Sequence, residues 1–332
     1  MEALVTGATG FIGSWLARTL LEEGWTVRCL ARPTSPRDQL AGLPVSWFVG
    51  DVCDPASLEP AVAGVDAVFH VAGHYALWSK TEETFRETNV EGTRNVLQAA
   101  KAAGVKRIVH TSSVACVGQA PAGETANEDT RVQAGDLCGA YKQTKWEGEQ
   151  VVLAAASAGQ DVVIVNPSSV IGPGDLKPTP TGKIIVDFLT GQIPFYLDTG
   201  LNFVDVRDVA RGHVLAFDKG VSGRRYILGN TEGNRTLREF LEVIGEVTGR
   251  KPPRFKIPYG IAYLAGVAST LWADAVTQRT PGVPLNGVKM ARQRMFFDPA
   301  RAIGELGLPQ TPLAVTVADA VAYFRQRGLV PS

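Results

Sequence analysis

Tyr141 and Lys145 stand four residues apart in a stretch of helical pattern, which puts both side chains on one helix face. Of the seven tyrosines, only Tyr141 has a lysine at that spacing. A free phenol titrates near pH 10 and shuttles protons poorly at neutral pH. A neighbouring ammonium favours the phenolate and brings the group toward working range. Ser113 follows the strand-like run at 107–112 and can donate a hydrogen bond to a reacting oxygen. The three residue types suit proton exchange at a carbonyl or alcohol oxygen.

A second segment points to the partner in that chemistry. Thr6-Gly7-Ala8-Thr9-Gly10-Phe11-Ile12-Gly13 follows the first apolar run and opens a helical stretch. Glycines there permit a tight turn and let the backbone approach a pyrophosphate, while the helix amino end offers unpaired N–H groups. Gly7, Thr9, Gly10, Phe11, Ile12 and Gly13 are therefore expected to cradle a dinucleotide. An acidic residue ending the second strand would bind a ribose 2′-hydroxyl, but this strand ends Leu30-Ala31-Arg32, with Arg37 close behind. A guanidinium pairs with a 2′-phosphate and stacks on adenine, so NADP(H) is expected over the alternative NAD(H). Asp51, beside Val52, is expected either to accept from adenine's amino group or to cap the helix near Pro55.

These residues need a scaffold, and the patterning supplies one. Strand-like runs at 3–6, 26–31, 45–49, 67–71, 107–112 and 161–166 alternate with helical stretches at 11–23, 81–103 and 136–158. Such alternation predicts α/β architecture, a doubly wound parallel sheet of Rossmann type that binds ligands outside its strands' carboxyl ends. After Asn166 the texture changes, with four prolines and three glycines in 166–182. Helices are expected near 183–190, 205–217 and 315–327, and short strands at 194–197 and 225–228. Thr236-Leu237-Arg238-Glu239 has the form of a capping box opening a helix to Gly249. The domains read as 1–166 plus about 203–230 for the dinucleotide. A smaller, mostly helical substrate domain takes about 167–202 and 231–332.

Composition narrows the classes. The 332 residues are 45% hydrophobic, and 33 Lys plus Arg balance 33 Asp plus Glu, so the chain as a whole lacks the basic excess of a nucleic-acid binder or a polybasic tether. A balanced total still has room for a local patch. Cys29, Cys53, Cys116 and Cys138 form no CxxC pair and read as small buried residues in a reducing cytoplasm. Strand-like sequence begins at Glu2, so no targeting segment is expected. The uncharged run 257–273 contains Pro258 and reads as a buried helix or pocket wall, with no membrane insertion. His70 and His74 flank strand and loop sequence, which argues against a metal pair.

The ordered set Thr6–Gly13, His70-Val71-Ala72-Gly73, Thr111-Ser112-Ser113, Tyr141-Lys142-Gln143-Thr144-Lys145 and Asn166-Pro167-Ser168 resembles the extended short-chain dehydrogenase/reductases across essentially the whole chain. Within them it is most similar to the hopanoid-associated sugar epimerase and dihydroflavonol 4-reductase-like groups. The resemblance implies that Tyr141 is the general acid or base, that Lys145 binds the nicotinamide ribose and tunes it, and that Ser113 positions the substrate oxygen, with Ser112 as its alternate. It implies that Thr111 and Val71, Ala72 and Gly73 border the cofactor, and that Pro167 and Ser168 lie near its carboxamide. Asn89 matches a family position that supports the active-site helix, and a homodimer is the family's expectation.

Both reduction of a carbonyl and epimerisation of a sugar fit that resemblance. Nucleotide-sugar epimerases clamp a diphosphate with arginines; here Leu201 opens the stretch Leu201-Asn202-Phe203-Val204-Asp205-Val206, where an arginine would stand. No Arg-x-Gly-Asp run occurs, although Arg292 or Arg294 lies in the neighbourhood. His74, Tyr75 and Trp78, in His74-Tyr75-Ala76-Leu77-Trp78, the segment 188–196 and Phe203 are the candidate substrate contacts. The favoured expectation is a cytoplasmic NADP(H)-dependent oxidoreductase interconverting an apolar small-molecule ketone or aldehyde and an alcohol. A sugar epimerase holding NAD tightly is the alternative. A non-catalytic NADPH sensor would not need the serine, tyrosine and lysine, and a hydrolase would need the absent Gly-x-Ser-x-Gly.

Overall fold

The computed structural model describes residues 1–332 except Leu77, Lys80, Ala122, Ala134 and Ser332. The chain opens with β1 (Glu2–Thr6), α1 (Phe11–Glu22), β2 (Thr26–Ala31) and β3 (Val45–Val49). Next comes α2 (Pro55–Val62), started by Asp54, whose side chain accepts from Ala56 N–H, with proline in the first turn. β4 (Ala67–His70) is followed by α3 (Glu83–Arg86), a π-turn (Glu87–Glu91) and α4 (Gly92–Ala102). Then come β5 (Arg107–Thr111), α5 (Gly139–Ser157) and β6 (Val162–Pro167). Helix α5 begins three residues later than the pattern suggests, because the Asp136 carboxylate instead takes the Gln133 N–H at 2.9 Å.

The chain then leaves this sheet through β7 (Ser169–Ile171), α6 (Pro180–Leu189) and β8 (Gly200–Asp205). It returns with α7 (Val206–Lys219) and β9 (Arg225–Leu228), and leaves again through β10 (Asn234–Thr236), α8 (Leu237–Thr248), α9 (Tyr259–Trp272), α10 (Leu285–Met290), β11 (Arg294–Met295) and α11 (Leu313–Gln326). Strand β8 pairs with β7, β10 and β11 in a second, four-stranded sheet, and α7 follows it from Val206. Residues 194–197 contribute only a single bridge, between Tyr196 and Lys256. The capping box is present, with Thr236 and Glu239 bonding reciprocally.

The main sheet has seven strands in the order β3-β2-β1-β4-β5-β6-β9, parallel throughout. Chain order reverses direction between β1 and β4, and a crevice opens where their carboxyl ends diverge. Side chains alternate across the sheet. Val5 joins Leu16, Leu20 and Val209 on the layer of α1 and α7. Leu4 joins Leu58, Val96 and Val152 on the layer of α2, α4 and α5. A third core, of Phe188, Phe203, Phe240 and Phe324, fills the second unit.

Phe203 stacks on Phe240 with centroids 3.8 Å apart and is 1% exposed, so it belongs to that core and not to a substrate surface. Helix α9 corrects another expectation. Only Ala262 and Gly266 are buried in it, while Leu264 and Trp272 are 69% and 62% exposed.

Three histidines are buried, His70 on β4, His110 on β5 and His213 on α7. Burial holds His70 down at about 3 and His213 down at about 4, and holds His110 well below the ordinary imidazole range. An unfolded chain takes up these protons near pH 6.5, so their share of stability is intact above that value and falls away as pH drops toward 4. Asp175, pushed up to about 6 by burial, works in the opposite sense, so one ring's share is best read from a variant. Between pH 7 and pH 5, urea denaturation of His213→Gln is expected to lose about 2 kcal/mol less stability than the parent chain. Phe203→Ala is expected to cost about 3–5 kcal/mol in the same measurement while leaving dinucleotide affinity unchanged.

Candidate active site

The crevice between β1 and β4 is closed at its floor by backbone packed on backbone. Gly7 has φ of +69°, and a Cβ there would lie 2.7 Å from Ala72 N. A Cβ on Gly13 would collide with the Gly7 carbonyl oxygen. Thr6 Oγ1 fixes the opposite strand end, accepting the Ala72 N–H at 3.1 Å. Gly10, the cap residue of α1, brings no side-chain acceptor, and no acidic residue occupies the first turn. The helix amino end thus keeps its donors and positive dipole end for an anion. These features fit a dinucleotide's diphosphate.

From this floor a cavity of about 810 Å³ runs across the sheet's carboxyl edge. Gly7, Thr9, Gly10, Phe11, Ile12, Gly13, Arg32, Asp51, Val52, Val71, Ala72, Gly73, Thr111, Ser113, Tyr141, Lys145, Pro167 and Ser168 all line it, as expected, together with Ser112, His74 and Tyr75. Arg37, Asn89, Trp78, Phe203 and the segment 188–196, also expected there, do not. Arg37 lies over the Trp47 ring at 4.8 Å, and Asn89 sits behind the wall. Trp78 turns to a neighbouring cavity and donates its indole N–H to Asp274 at 2.8 Å. Leu77 lies outside the described residues. Asp51 is no helix cap: its carboxylate accepts the Cys53 N–H at 3.0 Å, while Asp54 caps α2.

Helix α5 brings Tyr141 and Lys145 to the cavity's midpoint. Lys145 is buried and donates to the Thr111 carbonyl at 2.8 Å. Burial lowers its pKa, with the Glu149 charge opposing. The Thr111 hydroxyl faces away, bonded to His213 Nε2 at 2.8 Å. Tyr141 packs against the Tyr75 ring, with centroids 4.6 Å apart, and has the Ser113 hydroxyl beside it. Burial pushes the Tyr141 phenol far up, Tyr75 adds to this and Ser113 opposes it. At neutral pH the group is therefore a phenol, a proton donor. Ser113 also accepts the Ala115 N–H at 3.1 Å.

Asn89 supports this arrangement from the π-turn, an irregularity that places its side chain between two elements. Its Oδ1 accepts the His74 N–H at 2.8 Å, and its Nδ2 donates to the His74 carbonyl at 3.2 Å and to Thr144 Oγ1 at 3.1 Å. Gly148 lets α5 come this close, since a Cβ there would meet the Asn89 carbonyl oxygen.

Sequence reasoning missed Glu149, one turn beyond Lys145 and fully buried. It accepts from Asn166 Nδ2 at 2.8 Å and pairs with Arg225 at 3.4 Å, and the same Asn166 amide donates to the Ser113 carbonyl at 3.0 Å. The stripe Tyr141–Lys145–Glu149 was the available signal, because it continues the spacing of four. The cavity's far end was also missed. Val170, Pro180, Ile184, Leu201, Met290 and Met295 form it, drawn from β7, α6, β8, α10 and β11.

The chain matches the model of the NAD dependent epimerase/dehydratase family over residues 3–229. A Synechocystis protein, provisionally named a dihydroflavonol 4-reductase, is 46% identical over 98% of this chain and 95% of its own length. Sterol demethylase protein B of Methylococcus capsulatus is 37% identical, covering 99% of this chain and 100% of that protein. The solved structure of a nucleoside-diphosphate-sugar epimerase from Pseudomonas aeruginosa superposes with a TM-score of 0.81 at 26% identity, covering 100% of this chain and 99% of that one. The glycine floor, the open helix end and the Tyr–Lys pair thus meet an independent match over the full chain. This protein belongs to the NAD dependent epimerase/dehydratase family and is an NAD(P)-dependent oxidoreductase of the extended short-chain dehydrogenase/reductase type.

Proposed function

We propose that this chain is an NADP(H)-dependent reductase of a ketone or aldehyde carried on a neutral, largely apolar molecule. The observation that supports this is the lining of the cavity's far end. Among the described residues, the only lysine or arginine side chains on the cavity are Arg32 and Lys145, both beside the dinucleotide half. A sugar diphosphate needs cations to replace its water, whereas apolar walls suit a neutral substrate. Arg292 and Arg294 do not line the cavity, and Arg294 pairs with Asp198 at 3.0 Å. The names of the reductase and sterol demethylase relatives agree with this reading.

In this reading Gly7 to Gly13 hold the diphosphate, Arg32 takes the 2′-phosphate, and Asp51 and Val52 border adenine. Val71 to Gly73, Pro167 and Ser168 frame the nicotinamide, which when bound supplies the hydride. Lys145, fixed by Thr111, keeps two donors for ribose hydroxyls. Ser113 orients the carbonyl oxygen, and Tyr141, a phenol at rest, gives it the proton. Tyr75 and His74 border the substrate. Tyr141→Phe should lower kcat by about 10²–10⁴-fold while NADPH affinity, by fluorescence titration, changes less than about threefold. Undiminished turnover removes Tyr141 from the role.

The second reading, a sugar epimerase with a retained cofactor, is favoured by the likeness to the Pseudomonas aeruginosa structure. Denaturing fresh protein and weighing the released nucleotide separates the two: near-stoichiometric NAD selects the epimerase, and NADP(H) that washes off selects the reductase. For the reductase, Arg32→Ser should raise the KM for NADPH by roughly tenfold or more and leave that for NADH nearly unchanged. An unaltered NADPH:NADH preference refutes the assignment of Arg32.

A further inference from the structure

Large apolar side chains are seldom left in water as a contiguous group on a soluble chain. Among the described residues, fourteen large hydrophobic side chains are exposed, and eight of them fall between 255 and 283: Phe255, Ile261, Tyr263, Leu264, Leu271, Trp272, Val276 and Val283. Ile261, Leu264, Leu271 and Trp272 follow helical spacing along the outward side of α9. The opposite side rests on α10, where a Cβ on Gly266 would lie 3.2 Å from Val288 Cγ2. Through Gly287 and Met290, α10 in turn lines the main cavity. The apolar face is thus one helix removed from the cavity's far end.

Charge in this region is as lopsided as polarity. From 250 to 292 the sequence carries seven cations, Arg250, Lys251, Arg254, Lys256, Arg279, Lys289 and Arg292, against one carboxylate, Asp274, in a chain of zero net charge. Lys256 pairs with Asp198 at 2.7 Å, but Lys251, Arg254, Arg279, Lys289 and Arg292 have no carboxylate partner among the described residues. An exposed apolar helix face with aromatic members, within a segment so rich in cations, matches the requirements of a bilayer interface. Two copies joined through this face would instead bring like charges together.

We propose that the outward face of α9, with the cations of the segments flanking it in sequence, docks this protein on an anionic lipid surface. The helix lies on the bilayer; none of the described helices is long and apolar enough to cross one. Docking turns the α9–α10 side of the cavity toward the lipid and is independent of which carbonyl compound the cavity takes.

Flotation of the full-length chain with phosphatidylcholine vesicles, with and without phosphatidylglycerol, tests this. The chain should float with the phosphatidylglycerol vesicles at low salt, and at least roughly tenfold more weakly with the neutral ones. Leu264→Glu with Trp272→Glu should reduce flotation by at least about tenfold and leave NADPH affinity and thermal midpoint unchanged, since both side chains already face solvent. Lys251→Glu with Arg254→Glu should weaken it in the same direction. Absence of flotation with either vesicle, equal flotation with both, or undiminished flotation of the Leu264/Trp272 variant overturns the proposal. So does a parent dimer that the same two substitutions turn into a monomer, because the face then belongs to a second copy.

Discussion

Asn89 bonds at once to the backbone of His74, just past the end of β4, and to Thr144 on α5, from inside a helix that has slipped into a π-turn to present it. Buried amides of this kind are costly to leave half-satisfied, so both partners are held at fixed spacing. That spacing decides where Tyr141 and Lys145 stand relative to Gly73, and so relative to the crevice floor. Gly148 and Gly7 act as complementary constraints, each allowing a backbone approach that any side chain would prevent. The chemistry depends on these three contacts before it depends on the reacting groups.

Electrostatics divides the cavity along its length. Its dinucleotide half holds a helix amino end, Arg32 and Lys145, all favouring negative charge. Its far half holds thioethers, branched aliphatics and proline, with the neutral hydroxyls of Ser169, Thr179, Thr181 and Thr199 among them. Between them stands a half-buried tyrosine whose phenol proton is hard to remove, beside a lysine whose desolvation weakens its hold on its own. Glu149 carries the counter-charge one helical turn away, held off the reacting groups by Asn166 and Arg225. A charged group so near the site is tolerated because its partners come from β6 and β9.

Much of this was legible in one dimension because it is local. Strands at 26–31, 45–49 and 225–228 have the expected ends, the glycine turn opens α1, and the spacing of four puts Tyr141 and Lys145 on one face. What escaped depends on distant partners. Glu149 acquires its meaning from Arg225, 76 residues away. Phe203 was expected at the substrate, yet it is 1% exposed and stacked on Phe240, a partner 37 residues away that only the fold brings to it. Arg37 was placed near the cofactor by proximity in sequence, and Trp47 of the adjacent strand holds it elsewhere. Hydropathy put α9 indoors; packing left most of it outside, with only Ala262 and Gly266 buried and Gly266 against α10.

The two halves of the cavity are also written in different parts of the chain. Residues 7–52, 71–73, 111–115 and 141–145 build one end, whereas much of the other comes from 169–201 and 287–295. Substitutions can therefore drift through the second set and reshape what is accepted without disturbing the apparatus that handles hydride and proton. The family's shared segment stops at residue 229, before the last of these walls is encoded. Descent from a common ancestor would on this plan conserve the reaction and diversify its customers, and a recombinant cut at 229 would inherit the chemistry with a wall exchanged.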